Sequence, residues 1–350
     1  MHYLRSGGTA RERGVAHGEA ARDGIARLIA TYREGYKVEG GGWRDGLDPI
    51  GRRKRAKDRT AEIRDLCPSG CDEIEGIAEG AGLPIEDLYE LNLGFEIGLP
   101  PGGSACSIYG FRTGEGRVWL GKSDDVPEVE LGYNAVNHTS PVDGFRSVQM
   151  HFVGTIWTTS AVNETGFCLG MTGLSGAVTN DGGIPTLFLL HAMAERCETV
   201  AEAEAMCAAH TISRNGMSIL MGDAKGDVAI LEVHVDGQEI RRPGSAGEAI
   251  WQTNHCVGPA LQGRDDPASD LMENSRERTN RLAALDPHVE RSFEGLTDLY
   301  RTHDDPTGIC QHGAGGLHTD SAIVMSPDEQ VMWATEGYPC SNPFIAHALE

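Results

Sequence analysis

Nine cysteines, Cys67, Cys71, Cys106, Cys168, Cys197, Cys207, Cys256, Cys310 and Cys340, are the strongest nucleophiles this chain carries. A thiolate attacks carbonyl carbon more readily than any other side chain, but most cysteines are inert small hydrophobes. Cys106 has a distinctive setting. It follows the break Leu99-Pro-Pro-Gly-Gly-Ser-Ala105 and precedes the first β-rich run. Cys67-Pro-Ser-Gly-Cys71 has three residues between its thiols and no second pair to complete four zinc ligands, so it reads as structural. His303-Asp304-Asp305, Cys310-Gln311-His312 and His318-Thr319-Asp320 gather metal-ligand types, without the regular short spacing of a metal site. Gly116-Arg-Val-Trp-Leu-Gly121-Lys122-Ser123 satisfies the letters of a phosphate loop. Its Val-Trp-Leu interior prefers a strand, however, and Asp124-Asp125-Val-Pro127 stands where a helix should open to cradle the phosphate.

The elements around these residues change character along the chain. Up to about Leu99 the pattern is helical: Val15, Ile25, Leu28, Ile29 and Tyr32 recur at helical spacing over 11–36, although Gly14, Gly18 and Gly24 weaken it. Asp72-x-x-Glu75 reads as a capping box opening a helix ended by Gly80 and Gly82, and Pro84 starts another. Beyond the Pro-Pro-Gly-Gly break, strands are expected over 107–112, 117–122, 147–152, 156–162, 167–171, 217–221, 228–235, 322–325 and 330–335. Helices are expected over 185–197, 200–208 and 271–285. Hairpins with helices grouped between them indicate antiparallel α+β layers rather than alternating βαβ units.

Composition removes several functions. Thirty Lys+Arg against 52 Asp+Glu leave a net charge of −22, which argues against a nucleic-acid partner that needs its phosphates neutralised. The run Arg52-Arg53-Lys54-Arg55 reads as a solvated helix face. No apolar stretch approaches ~18 residues, so no membrane partner is expected. Met1-His2-Tyr3-Leu4-Arg5 leads into polar sequence rather than a signal core. An odd, scattered set of cysteines fits reduced thiols, and a cytoplasmic location is the expectation.

Several separated motifs together resemble a known family. They are Arg13-Gly14-x-x-His17-Gly18, Glu75-Gly-Ile-Ala-Glu-Gly-Ala-Gly82, Cys106-Ser107 and Gly121-Lys-Ser-Asp-Asp125. Asn163-Glu-Thr-Gly166, Thr253-Asn254-His255, Ser275-Arg276, Ile309-Cys310-Gln311-His312, Thr319-Asp-Ser321 and Glu336-Gly337-x-Pro339 follow in order. In this order the chain resembles the isopenicillin N acyltransferase-like (acyl-coenzyme A:6-aminopenicillanate acyltransferase) family. More distantly it is similar to bile salt hydrolases. Both are N-terminal-nucleophile hydrolases.

The resemblance implies a four-layer αββα core, with residues 1–105 as a helical propeptide or α-subunit and 106–350 as the catalytic part. It implies cleavage or transfer of an acyl group at a linear amide through an acyl-Cys106 thioester. Self-cleavage between Ala105 and Cys106 would expose the α-amine that serves as base. By the same resemblance Asp125 orients that amine, Asn254 and the Asn163 region face the oxyanion, and Arg276 pairs with Asp125 or the nucleophile region. Arg278 takes that place if the register slips by two. No metal or cofactor is implied; the partners are a small-molecule amide or acyl donor and, after cleavage, the two fragments as an α/β heterodimer. The sequence departs from the family pattern at Ala105, where Gly is usual, and at Ser123, where Asn is usual. A metal-dependent hydrolase built on His303, His312 and His318 and a catalytically silent binding scaffold are the two other readings. The acyl group, the amine and the choice between hydrolysis and transfer stay open at this point.

Overall fold

The computed structural model describes residues 1–35, 37–38, 42–43, 46–94, 105–174, 182–213, 216–266, 269, 271–303 and 308–349. Leu99–Ser104 and Asp304–Asp305, singled out above, lie outside the described residues.

Alternation along the strands builds the layers. In β4 (Ala105–Arg112) and β5 (Val118–Pro127), Ile108, Val118 and Leu120 face one way, and Tyr109, Phe111 and Trp119 the other. Both faces are buried, so each must be covered. Ile108, Val118 and Leu120 meet Val136, Met150, Val162 and Leu220 from β6 (Asn134–Pro141), β7 (Ser147–Phe152), β8 (Ser160–Asn163) and β10 (Met217–Gly222). Tyr109, Phe111 and Trp119 pack against Leu282, Leu296, Leu299 and Tyr300 of two helices, Met272–Leu285 and Phe293–Arg301. The other face of this second sheet buries Ala161, Leu169 and Ile219 under Ile25, Leu28, Ile77 and Phe188 of further helices. The order is therefore helices, sheet, sheet, helices: the αββα arrangement expected.

The larger sheet has eight strands, β1-β6-β7-β8-β9-β10-β11-β12, in which β1 is His2–Gly8, β9 Cys168–Gly173, β11 Val228–His234 and β12 Gly237–Arg241. The smaller has six, β13-β4-β5-β14-β15-β16, in which β13 is Ala249–Gln252, β14 Leu317–Ser326, β15 Val331–Ala334 and β16 Ile345–Ala348. All their pairings are antiparallel except β1 with β6, which is parallel, and β2 (Lys37–Val38) pairs with β3 (Gly42–Trp43) in a separate two-stranded ribbon. The N-terminal region is thus not wholly helical, since residues 2–8 add an edge strand to the main sheet.

Three local readings change. The helix expected to open at Asp72 opens at Pro68, because Pro at the first helical position fixes φ and needs no hydrogen bond there. Its end is where expected, at Gly82 with φ 65°. The strand expected over 156–162 begins only at Ser160. The glycines that weakened the first helix, Ala10–Gly35, instead let it touch the helix Pro68–Ala81. A Cβ on Gly14 would lie 2.1 Å from the Glu73 carbonyl oxygen, and one on Gly18 2.3 Å from that of Ile77. Gly76 and Gly80 answer from the other helix, with Cβ positions 2.2 and 2.1 Å from the Arg11 and Val15 carbonyl oxygens. Ala at position 18 would gain about 1 kcal/mol of helix propensity. Backbone on backbone cannot yield by rotamer change, and overpacking costs about 1–3 kcal/mol or more. Gly18→Ala is therefore expected to lower stability in chemical denaturation; an increase would contradict this helix contact.

Among the described residues, no helix is long and apolar enough to cross a membrane.

Candidate active site

Cys106 sits where strand β4 loses a neighbour. On one side it pairs with Asp124 of β5; on the other, β13 covers only Ile108 to Phe111 and stops at Gln252. The main-chain groups of Cys106 on that edge have no ladder partner and are met by side chains instead. Its N–H donates to Asn254 Oδ1 at 3.1 Å, and its carbonyl accepts from the Arg278 guanidinium. Asn254 hangs from the turn directly after β13, and its own N–H is tied to Ser275 Oγ at 2.8 Å. Two donors converge on Asn254 Oδ1, since Arg278 also gives it a 2.6 Å hydrogen bond. That fixes the amide orientation and directs Nδ2 to Thr172 Oγ1 (2.8 Å) and the Gly173 carbonyl (3.0 Å) on β9.

Arg278 is fully buried and reaches Cys106, Ser107 Oγ at 3.0 Å and Asn274 Oδ1 at 2.7 Å. Arg276, the residue favoured from sequence, is exposed. The correction is one of helical phase: Ser275, Arg278 and Leu282, spaced three and four apart, share the buried face, and position 276 points away.

The strand period divides the remaining groups between faces. Cys106 lies on the inter-sheet face with Lys122 and Asp124, two and four residues along β5 from Leu120. Lys122 Nζ hydrogen-bonds Asp124, and both are buried; Asp124 also accepts from Ser321 Oγ at 3.2 Å. Burial pushes the Cys106 thiol up to about 12, while the Lys122 ammonium pulls it back. A thiol so placed needs a base. Asp125 lies on the opposite face, across the ladder from Ala105, and accepts from Thr319 Oγ1 (2.6 Å) and Ser123 Oγ (3.1 Å). Ser123, which departs from the family's Asn, thus still serves this carboxylate.

Burial raises Asp125 from 3.8 to about 6, against the pull of Arg278 and its two hydroxyl partners. The sign follows from proton counting. Between about pH 4 and 6 the folded chain keeps this proton while the unfolded chain has lost it, so this group's contribution to stability falls as pH rises through that window. Two pKa units correspond to about 3 kcal/mol. Asp125→Asn should therefore gain stability relative to wild type as pH goes from 4 to 6.5, in paired denaturation curves. A constant difference would contradict the raised carboxyl.

Asn163 is not brought to this place. Its Nδ2 donates to the Ala194 and Cys197 carbonyls, and its Oδ1 accepts from Thr165 and Phe167 N–H, each at 3.1 Å. It therefore closes its own Asn163-Glu-Thr-Gly166 turn. It also borders the Cys168 end of β9, roughly 13 Å of strand from Thr172 and Gly173, which meet Asn254. Of the three histidines considered as metal ligands, His303 and His312 have ring centroids 5.5 Å apart, and His318 Nδ1 is engaged by the Tyr338 hydroxyl at 2.7 Å. Their ligand atoms do not form a common group among the described residues. Sequence reasoning missed Lys122, Asp124 and Thr172; the two-residue spacing of Lys122 and Asp124 on the strand of Asp125 was the available signal.

The family model for acyl-coenzyme A:6-aminopenicillanic acid acyl-transferase matches residues 112–339, about two thirds of the chain. The chain belongs to this family. The resemblance read from the motif order is thereby confirmed, and the chain takes from its family the coarse function of an enzyme of amide hydrolysis or acyl transfer. No curated protein matches it in sequence. Three solved structures follow a similar chain course. The N-acylethanolamine-hydrolyzing acid amidase ortholog of Caenorhabditis elegans is 12% identical, with 64% of this chain and 93% of that one covered, at TM-score 0.46. Penicillin V acylase from Agrobacterium tumefaciens is 16% identical, with 66% and 83% covered, at TM-score 0.41. A mutant conjugated bile acid hydrolase from Clostridium perfringens is 10% identical, with 70% and 97% covered, at TM-score 0.40. Likenesses this remote carry no residue role over to the chain.

Proposed function

We propose that this protein is a cysteine N-terminal-nucleophile amidohydrolase or acyltransferase, activated by cleavage before Cys106 and acting on a linear amide through an acyl-Cys106 thioester. The observation that carries the reading is the open edge of β4, where Asn254 and Arg278 hold both main-chain groups of Cys106.

In the maturation step, Cys106 Sγ attacks the Ala105 carbonyl carbon through a five-membered ring. The Ala105 C–N bond breaks, the acyl group passes to sulfur, and the nitrogen takes the thiol proton and becomes the α-amine of Cys106. Water then opens the thioester, giving an Ala105 carboxylate and a free thiol. In turnover the amine takes the Sγ proton, sulfur attacks the substrate amide, and the departing amine receives that proton. Water or a second amine resolves the acyl-enzyme.

The electrostatics suit such a base. An α-amine has a pKa of about 7.7–8.0. The Arg278 and Lys122 cations favour its neutral form, while Asp125, across from Ala105, favours the charged one. Asn254 Oδ1 is placed to accept a hydrogen bond from the amine, as it does from the peptide N–H. The Asn254 amide N–H groups, now on Thr172 and Gly173, are the donors that a tetrahedral oxyanion would compete for.

Residues 1–105 act in this reading as an α-subunit that stays bound after cleavage. Ile25, Leu28, Ile77 and Leu91 share one core with Phe152, Trp157 and Phe188 of the larger part, which supports an α/β heterodimer.

The test is capture of the intermediate. Quenched with acid during turnover of a small aryl amide, the enzyme should carry the acyl mass on the peptide that begins at Cys106. Added primary amine should divert that acyl group to a new amide if the enzyme is a transferase, and leave the products unchanged if it is a hydrolase. An acyl group found on another residue would remove the proposal.

A further inference from the structure

Away from Cys106, a second cluster of soft donors converges at the junction of the Ile309–Gly313 segment with the C-terminal Tyr338–Asn342 turn. We propose that Cys310, His312 and Cys340 form a binding site for a single zinc ion. His312 Nε2 lies 3.3 Å from Cys310 Sγ and 3.3 Å from Cys340 Sγ, and the three atoms all fall within 4.8 Å of one another. In a tetrahedral site with Zn–S about 2.3 Å and Zn–N about 2.0–2.1 Å, neighbouring sulfur and nitrogen ligands are about 3.5 Å apart. The protein holds that spacing already.

The donors are fixed by structure unrelated to the nucleophile. Cys310 and His312 are two residues apart, and the bend at Cys310 lets both side chains reach the same point beside Cys340. The segment is pinned by Cys310 N–H to the Thr302 carbonyl (2.8 Å), by a β-bridge between His312 and His318, and by Gly313 N–H to the Leu317 carbonyl (2.7 Å). Gly313 has φ +94°, which closes this return and suits glycine. The His312 ring stacks on Tyr338, with centroids 4.2 Å apart and planes 18° apart. The Tyr338 hydroxyl is held in turn by His318 Nδ1. This stack holds the ring with Nε2 beside both sulfurs.

Two thiolates and an imidazole select zinc and similar soft divalent ions over magnesium or calcium. Cys310 is buried, Cys340 is half-buried and His312 is exposed, so the outer side is open to water as the fourth ligand. Binding converts two thiols to thiolates and releases two protons, with no change of oxidation state. The ion would clasp the C-terminal turn to the segment carrying Gln311, whose N–H donates to Thr319 Oγ1, the hydroxyl that holds Asp125. Its place is therefore behind the nucleophile, bracing it.

The experiment uses the full-length protein, reduced, stripped of metal and then titrated. Zn²⁺ in competition with a chromophoric chelator should give one equivalent per chain. Co²⁺ should give a thiolate-to-metal charge-transfer band together with the visible bands of a tetrahedral site. Cys340→Ser, a change at a half-buried position, should keep the wild-type circular dichroism, weaken Zn²⁺ at least tenfold and diminish the charge-transfer band. Stripped wild type that takes up no stoichiometric Zn²⁺ or Co²⁺ would overturn the site, as would equal affinity in Cys340→Ser. So would a Cys310–Cys340 disulfide in the protein as purified, seen as a mass two hydrogens lighter. None of these readouts depends on cleavage or turnover at Cys106.

Discussion

Cys106→Ala is expected to lower kcat by on the order of 10⁴–10⁶-fold, the scale on which deleting an acyl-transfer nucleophile acts. Its effect on the fold should be small. Cys106 is buried, and losing one sulfur atom removes about 1 kcal/mol of packing. The ladder from Ala105 to Arg112 pairs through backbone groups that alanine retains. The variant should therefore show wild-type circular dichroism and a cooperative denaturation transition. Cys168→Ala is the control, since that equally buried thiol lies in the inter-sheet core. It should lose some stability and keep its rate. Wild-type turnover in folded Cys106→Ala would refute the nucleophile.

The second large effect separates two arginines on one helix. Arg278→Met keeps most of the side-chain volume and removes the guanidinium. Asn254 Oδ1, Asn274 Oδ1, Ser107 Oγ and the Cys106 carbonyl would each lose a charged donor. Breaking a buried charged network of this kind costs about 3–5 kcal/mol. Disturbing oriented donors in an acyl-transfer site costs about 10²–10³-fold in kcat. Arg276→Ala, on the exposed face, should stay within about 0.5 kcal/mol of wild type and within about twofold in rate. Denaturation and initial rates on both variants decide the matter, and the reverse order of effects would contradict the site. Retained stability with lost rate in Arg278→Met would assign the residue to chemistry; lost stability with retained rate would confine it to structure.

What the sequence discloses depends on how local the deciding interaction is. Ser147–Phe152 and Val200–Ala208 stand where composition puts them, because β-branched and aromatic residues or an Ala-rich run suffice to define them. The glycines of Ala10–Gly35 mislead because their reason is another helix sixty residues away. The capping box at Asp72 misleads because Pro68 starts that helix earlier. Strand β1 is invisible locally; its Arg5 and Gly8 become strand only through pairing with His138 and Pro141.

The site follows the same rule. Cys106 and Asn254, separated by 148 positions, are a hydrogen-bonded pair that no local pattern discloses. Asn163 belongs to its turn because a short side chain two residues from the next amide satisfies its own loop first. Which of the two arginines is buried could be read only with the phase of their helix. Leu282, four residues beyond Arg278, carried that phase and marked the buried face.

If Cys106 becomes an N-terminus, the intact mass after expression shows it. The uncut chain is 37.6 kDa. Cleavage should give fragments of roughly 11 kDa, residues 1–105, and roughly 26 kDa beginning at Cys106, at the chain's mean residue mass. The two should co-elute under native conditions and separate in denaturant, while Cys106→Ala gives only the 37.6 kDa species. A wild-type chain that is uncut and fully active would contradict the α-amine as base.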